Sequence, residues 1–558
     1  MKKRLSTVFL VLLVLCLVSS VALAKTIDLT IFHTNDTHAH VEEGKYAGMG
    51  FAKIATIVKQ ARKEVTNVLL LDAGDTFHGT SFANLNEGKS IAKIYNKLGY
   101  DVLVPGNHDF NYGHHRLAKL NKMTEFPIIS ANIVKADNQR AFRFQPGEIK
   151  NINGVKVAIL GLTTPETTYK THPKNVAGLE FKDPIKTAKG MVNLIKKKSN
   201  PDLIIALTHL GLSEGSKYTS KRLAQEVPGI DLIVDGHSHT KLEKGKLINN
   251  TPIVMAGEYT ESLGVVNLTI KDGKLVKGRA DLITKEEAAN VKKDKKMLQL
   301  IADIKAKNKE ITSTVIGKTA VKLNGAREDI RTGETNLGDL VANAMLEAVV
   351  ADIAITNSGG IRASIPQGKI TKGEVLKVLP FNNYVIVKKV KGRVILEAIE
   401  HGISKYPAHE GLFPQVAGLS FMFNPSQPAG KRGLALQIND NPIDPDQYYK
   451  VAINDFMAAG GDGYRMFKEA KTIQEAGSLD EIVIDYIKER GVVALEQDGR
   501  IIPIEREGNH YEYTIKWGDT LSELSLWLEI KMSKLIKLNK IKNPDLIYAG
   551  DKLILPSN

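Results

Sequence analysis

The chain has 558 residues, 43% hydrophobic and 25% charged, a balance that excludes a disordered polyelectrolyte and is long enough for several folded domains. Its formal net charge of +14 favours anionic surroundings such as phosphorylated substrates or an acidic cell envelope. The lysines are spread along the chain and no nucleic-acid motif accompanies them, which reads as a solvated basic surface and argues against a nucleic-acid polymer as partner.

Met1–Arg4 is basic, Val8–Val18 is an apolar run, and Ala22, Leu23 and Ala24 fit a small-x-small cleavage site. Residues 1–24 therefore read as a secretory signal cut before Lys25. The apolar run is short for a membrane span, so no membrane contact is expected after cleavage, and the expected location is secreted, periplasmic or cell-wall associated. The one cysteine, Cys16, lies inside this segment, and Leu15 before it is a poor fit to a lipidation signal. A mature chain without cysteine forms no disulfide and must hold any metal through nitrogen and oxygen.

From Lys25 to Thr284, apolar strands alternate with helical stretches such as Ala52–Glu64 and Ser90–Leu98, which predicts a sheet layered by helices. Val68–Leu71 runs without a polar break into Asp72, Gly74 and Asp75, the pattern of a strand buried on both faces that ends in a carboxylate-bearing turn. The same order of apolar residues first and Asp, Asn or His just after recurs in Ile27–His38, Asp101–Asp109, Leu203–Leu210 and Leu232–His239. In an open α/β fold the crevice beyond the carboxyl ends of the strands binds ligands, so these tips can converge. Asp36, His38, Asp75, Asn107, His209, His237 and His239 form a mixed N/O set too large for one tetrahedral ion and suited to two divalent ions. Asp75 is the natural bridge because a carboxylate has two oxygens to share. Such a site admits Zn²⁺, Mn²⁺, Co²⁺ or Mg²⁺.

The blocks HTNDTHAH, DAGDTFHG, GNHDF, THLG and GHSH, in this order, resemble the signature of metallophosphoesterases of the secreted 5′-nucleotidase family. The resemblance implies that Asp36, His38 and His239 hold one ion and that Asn107, His209 and His237 hold the other. It also implies hydrolysis of nucleotide phosphoesters by an activated water. His108, next to Asn107, is the candidate to stabilise developing charge or assist the leaving oxygen. In typical members an Asp three residues later orients that histidine; here the position is Asn111. An amide can accept from the imidazole N–H but supports its protonated form less than a carboxylate does, so lower basicity is expected. The variant GNHDFN is closer to the branch acting on 2′,3′-cyclic nucleotides and 3′-nucleotides, and these activities, with UDP-sugar hydrolysis, stand as alternatives to 5′-nucleotide hydrolysis.

Residues 285–311 carry Met297, Leu300, Ile301 and Ile304 at helical intervals, which predicts an amphipathic helix linking two domains, or a surface helix of one of them. A second α/β domain is expected over residues 312–505, with glycine-rich turns at Thr356–Arg362 and Asn454–Tyr464 and an exposed aromatic in Leu379–Tyr384. Glycines let the backbone approach a ligand, arginines pair with phosphate, and two phenylalanines could sandwich a flat ring. These segments resemble the nucleotide-recognition domain of the same family, which implies substrate contacts by Arg331, Asn357, Arg362, Phe381, Phe456 and Asp462. A substrate spanning both domains would call for hinge motion near Lys285–Ile311.

Residues 511–557 read as a small βααβ module with Ile515, Leu521, Leu524, Leu535, Ile547 and Leu553 inside. The pattern is similar to a LysM domain, which implies peptidoglycan as a partner. Two other readings remain open: a wall-bound protein whose phosphoesterase core is inactive, and a peptidoglycan-processing enzyme, for which no second catalytic constellation is found in the sequence.

Overall fold

The computed structural model describes residues 26–44, 47–135, 144–171, 173–507, 510–515, 519–528 and 530–556; the expected signal segment, residues 1–24, lies outside them. Among the described residues no helix is long and apolar enough to cross a membrane.

Among the described residues, the first part of the chain holds two large sheets rather than one, besides a small antiparallel pair of Ile133–Lys135 and Leu179–Phe181. Thr26–Thr34 is the central strand of a five-stranded sheet, parallel to Val68–Asp72 and antiparallel to Ser262–Lys271. Leu203–His209 lies inside a six-stranded sheet, parallel to Val155–Thr163 on one side and Leu232–Val234 on the other. The inner faces share one core of Leu29, Ile31, Leu69, Leu71, Val157, Ile205, Leu207 and Val234. Each such side chain stabilises the fold by about 1.5–3 kcal/mol relative to exposure. Helices Phe51–Glu64 and Lys89–Leu98 cover the outer face of the first sheet, and Pro184–Ser199 and Ser220–Glu226 cover the second. Continuous apolar runs are therefore explained by burial between layers. The parallel strands end level: Thr34 is opposite Asp72, Asp72 opposite Leu103, and Thr163 opposite His209.

The predicted linker helix begins later than its sequence suggests, at Lys295–Thr312, because Asp294 caps it by accepting from the Met297 amide at 2.8 Å. Met297, Ile301 and Ile304 bury themselves in the outer core of the first layers, and the C-terminal end reaches the helix Lys372–Val378.

Beyond it, Ile353–Asn357, Tyr448–Asn454, Tyr384–Lys391 and Lys471–Ser478 lie in a five-stranded sheet in that order, with Pro414–Ala417 at one edge. The helix Asn336–Glu347 packs on it and is capped by the Thr335 hydroxyl. At the end of the chain, strands His510–Thr514 and Lys552–Leu555 flank helices Leu521–Trp527 and Met532–Asn539, the βααβ order expected. Tyr513, Leu521, Leu524, Leu535 and Leu553 form its core, which extends onto Met422 and Ile504 of the preceding domain.

Candidate metal centre and nucleotide cleft

At the level ends of the two sheets the chain turns sharply. Asp36 (φ 48°), His38 (φ 43°), Asp75 (φ 56°), His237 (φ 79°) and His239 (φ 52°) all adopt left-handed backbone. For a side chain with a Cβ this costs about 1–2 kcal/mol each, so the surroundings must hold the turns in place. They do: the Asp36 amide donates to Gly74 O at 2.8 Å, and the His38 amide to Asp75 O at 2.9 Å. Two glycines make room. A Cβ on Gly106 would stand 2.2 Å from Asp75 Oδ1, and one on Gly236 would stand 2.9 Å from His209 Nδ1.

The turns bring the sequence-predicted set together in two groups. Asp36, His38 and His239 offer ligand atoms within 4.8 Å of one another, and so do Asp75, His209 and His237. His239 Nε2 is 3.4 Å from Asp36 Oδ1, while His209 Nε2 is 3.1 Å from Asp75 Oδ2 and His38 Nε2 is 3.9 Å from the same oxygen. Asp75 thus faces both groups. The residues present fit two divalent ions: His38 Nε2 and Asn107 Oδ1 are buried without a hydrogen-bond partner, as atoms reserved for a cation would be. His209 Nδ1 is 2.6 Å from Ala73 O, which places the proton there and leaves Nε2 free to ligate.

Charge explains the rest of the geometry. Burial alone would discharge His209, but the Asp75 carboxylate outweighs it and lifts the imidazole to about 10. Burial likewise opposes protonation of His239, and the Asp36 carboxylate again wins. His38 goes the other way, held well below its usual value by burial.

Several positioning groups were not singled out in the sequence. The Asp109 carboxylate accepts four backbone amides, from Asp75 (2.9 Å), Thr76 (2.9 Å), Phe77 (2.8 Å) and Gly106 (2.8 Å), and so fixes the turn that carries Asp75. Asp235 does the same for the His209 turn by accepting from the Thr208 hydroxyl and the Leu210 and Gly211 amides. Both follow the rule already used, a carboxylate just after an apolar run, and that signal could have found them. Glu166 (3.0 Å from His237 Nε2), Lys170, Tyr384 and Glu475 also reach the pocket, without a local signature.

His108 lies over the pocket, its ring 5.2 Å from that of His38, and burial pushes it down to about 4 against the pull of Asp75 and Glu475. Asn111 stands beside it but does not accept from the imidazole as the sequence suggested. Its nitrogen is 3.2 Å from His108 Nδ1 and 3.2 Å from His78 Nδ1, while its oxygen accepts from the Thr171 hydroxyl at 2.8 Å. In this arrangement Nδ1 of His108 is the acceptor, and the ring proton sits on Nε2.

The second-domain residues are linked by pairwise contacts outside the lining of the metal pocket. Asn357 Nδ2 donates to Asp462 Oδ2 at 2.7 Å, Asn454 Nδ2 to Asn357 Oδ1 at 2.8 Å, and the Arg362 guanidinium lies 5.8 Å from the Phe381 ring centre. Arg331 is 7% exposed, with its Nε unpartnered. Phe381 and Phe456 are 52% and 45% exposed, unusual for rings of this size. Gly461 lets the Phe456 ring lie against the backbone, since a Cβ there would meet it at 2.5 Å. None of these six lines the metal pocket of about 190 Å³. Their neighbours do: Tyr384 and Asp455 line it together with the candidate metal ligands.

Comparison with known proteins matches the calcineurin-like phosphoesterase family over residues 29–241, the 5′-nucleotidase C-terminal domain over 315–469 and the LysM domain over 513–556. A 5′-nucleotidase of Diplobatis ommata is 32% identical over 91% of this chain and 95% of its own. A trifunctional nucleotide phosphoesterase protein of Bacillus subtilis is 36% identical over 85% of this chain, which spans only 35% of that longer protein. Among solved structures, a 5′-nucleotidase precursor from Thermus thermophilus is 33% identical with a TM-score of 0.52, covering 86% of this chain and 100% of its own.

Proposed function

The chain belongs to the 5′-nucleotidase family of calcineurin-like metallophosphoesterases and is a phosphoric ester hydrolase, and from that premise we propose that it hydrolyses 5′-nucleotides to nucleoside and phosphate with the help of two divalent ions. The single observation that carries this reading is the double ligand group sharing Asp75, set beside a buried histidine.

Asp36, His38 and His239 would hold one ion, Asn107, His209 and His237 the other, with Asp75 between them. When bound, the ions acidify water and neutralise phosphoryl charge during in-line displacement. Asp109 and Asp235 hold the ligand-bearing turns, and His108 presents an Nε2 proton towards the pocket, where it can hydrogen-bond the leaving oxygen. Arg331, Asn357, Arg362 and Asp462 would hold sugar and phosphate while Phe381 and Phe456 stack the base. None of these six lines the metal pocket, and the proposal therefore includes motion of the second domain that brings a nucleotide held by them to the ions. The helix Lys295–Thr312 is packed on the first core, so the turning point falls at its C-terminal end near Ser313.

Export and attachment complete the proposal: the N-terminal segment directs secretion, and the LysM module places the enzyme on peptidoglycan. A second substrate reading, 3′-nucleotides and 2′,3′-cyclic nucleotides, is favoured by Asn111 standing where the typical Asp would be. Chromatography of the products formed from AMP, 3′-AMP, 2′,3′-cyclic AMP and a UDP-sugar, each with and without chelator, tests both, because only the two monoesters release inorganic phosphate directly while the cyclic diester opens to a monoester and the UDP-sugar splits into two. Highest turnover on AMP supports the first reading, highest turnover on the cyclic or 3′ substrates the second, and turnover unaffected by chelator contradicts both.

A further inference from the structure

Lys170 is the one lysine or arginine among the described residues that line the metal pocket. It is 24% exposed and sits on the loop after the strand Val155–Thr163, where its backbone oxygen accepts from Asn107 Nδ2 at 3.2 Å. Its ammonium is 3.1 Å from Glu475 Oε1 and 4.0 Å from Glu166 Oε2. Glu475 comes from the other domain. The strand Lys471–Ser478 delivers it across the boundary, docked by its amide donating to Tyr169 O at 2.7 Å. Its second oxygen stands 3.8 Å from His108 Nε2. A carboxylate from the second domain thus lies between a cation and the candidate acid of the first, with one oxygen nearest each.

The Lys170 ammonium is held between two carboxylates, Glu475 and Glu166, in a partly buried position. Such an ammonium, oriented in a shielded pocket, is a strong binder of phosphoryl oxygens. A phosphate dianion and a carboxylate repel at this range, so they cannot share the space beside Lys170 and His108.

We propose that Lys170 is a phosphate-binding residue of the metal pocket, and that Glu475 is the resident anion which an incoming phosphoryl group displaces from it. The inference rests on the metal-dependent phosphoesterase reading and adds to it a third cationic contact and a built-in competitor. When Glu475 withdraws with the second domain, Glu166 at 4.0 Å remains to keep the ammonium in place. An interdomain salt bridge of purely structural use would behave differently. Removing either partner would then loosen the same interface and shift phosphate affinity in the same direction.

The test titrates inorganic phosphate calorimetrically into the metal-loaded full chain, with metal content checked in every variant, alongside phosphate inhibition of AMP hydrolysis. Lys170→Met is expected to weaken phosphate binding about tenfold, Lys170→Arg to retain most of it, and Glu475→Gln to tighten it several-fold in the wild-type background but not in the Lys170→Met background. Shifts of the same sign in Lys170→Met and Glu475→Gln, no change in either, or no measurable phosphate binding by the wild type overturn the inference. Phosphate binding that follows the expected signs in a protein that hydrolyses none of the nucleotides would contradict the functional reading instead and leave Lys170 as a binding residue.

Discussion

Asp75 Oδ2 and His209 Nε2 lie 3.1 Å apart, although Asp75 follows a strand of the first sheet and His209 ends a strand of the second. The contact exists because the two sheets pack face to face with their parallel strands ending at one level. The crevice between them is therefore shared by both sheets, and a ligand set drawn from all five strand tips can close around it.

Asp109 is expected to govern metal affinity without touching metal. Its carboxylate accepts four amides around the Asp75 turn, and an amide side chain in its place offers one oxygen instead of two. Asp109→Asn should weaken metal binding about 10–100-fold, the effect usual for groups that support metal ligands. Metal titration followed by calorimetry checks this; unchanged affinity in a folded variant would show that the turn holds itself.

Asn111 is expected to set substrate preference through His108. Its nitrogen faces Nδ1 of His108 and of His78, so a carboxylate in its place draws a proton onto one of those nitrogens. Asn111→Asp should raise the ratio of AMP to 2′,3′-cyclic AMP hydrolysis, measured as kcat/KM for each. A ratio equal to that of the wild type would remove Asn111 from specificity.

The five apolar runs ending in Asp, Asn or His were legible because a strand buried on both faces shows a continuous apolar pattern, and the ligands follow at its end. That the tips belong to two sheets was not, because the pattern of a buried strand is the same whichever layer covers it. The glycines Gly106 and Gly236 and the supports Asp109 and Asp235 lie inside the recognised blocks, yet their roles depend on contacts such as Asp109 to Thr76, which spacing alone does not reveal. Tyr384 and Glu475 reach the pocket from the second domain, a relationship set by tertiary packing. Base stacking by Phe381 and Phe456 is expected from the sequence, and the structure adds that both rings are exposed and that neither lines the metal pocket.

Stability should depend on pH through Asp339, which is outside the metal ligand set and the metal pocket lining. Burial pushes its carboxyl from 3.8 to about 8, with Arg500, 3.4 Å away, pulling against that and Glu334 adding to it. The folded state then holds a proton that the unfolded chain releases near its ordinary value, so stability falls as pH rises from about 4 to about 8, by up to about 1.4 kcal/mol per pH unit. Asp339→Asn, which cannot titrate, should shrink the loss of Tm between pH 5.5 and 8.5. An equal loss in both proteins would place the cost elsewhere.

Ending the chain after Glu507 should abolish sedimentation with purified peptidoglycan while leaving AMP hydrolysis in place. Because Met422 and Ile504 pack into the core of the LysM module, the truncated protein should also melt at a lower temperature. Retained peptidoglycan binding would move the wall contact to another surface, and lost hydrolysis would make the module part of the enzyme.

The most direct measurement is metal content against activity: elemental analysis of the purified chain, then phosphate release from AMP before stripping, after stripping with chelator, and after adding Mn²⁺ or Zn²⁺ back. A dinuclear hydrolase gives close to two ions per chain, loses turnover when stripped and regains it on reloading. Full hydrolysis by the stripped protein, or a chain that takes up no divalent ion at all, would contradict the account.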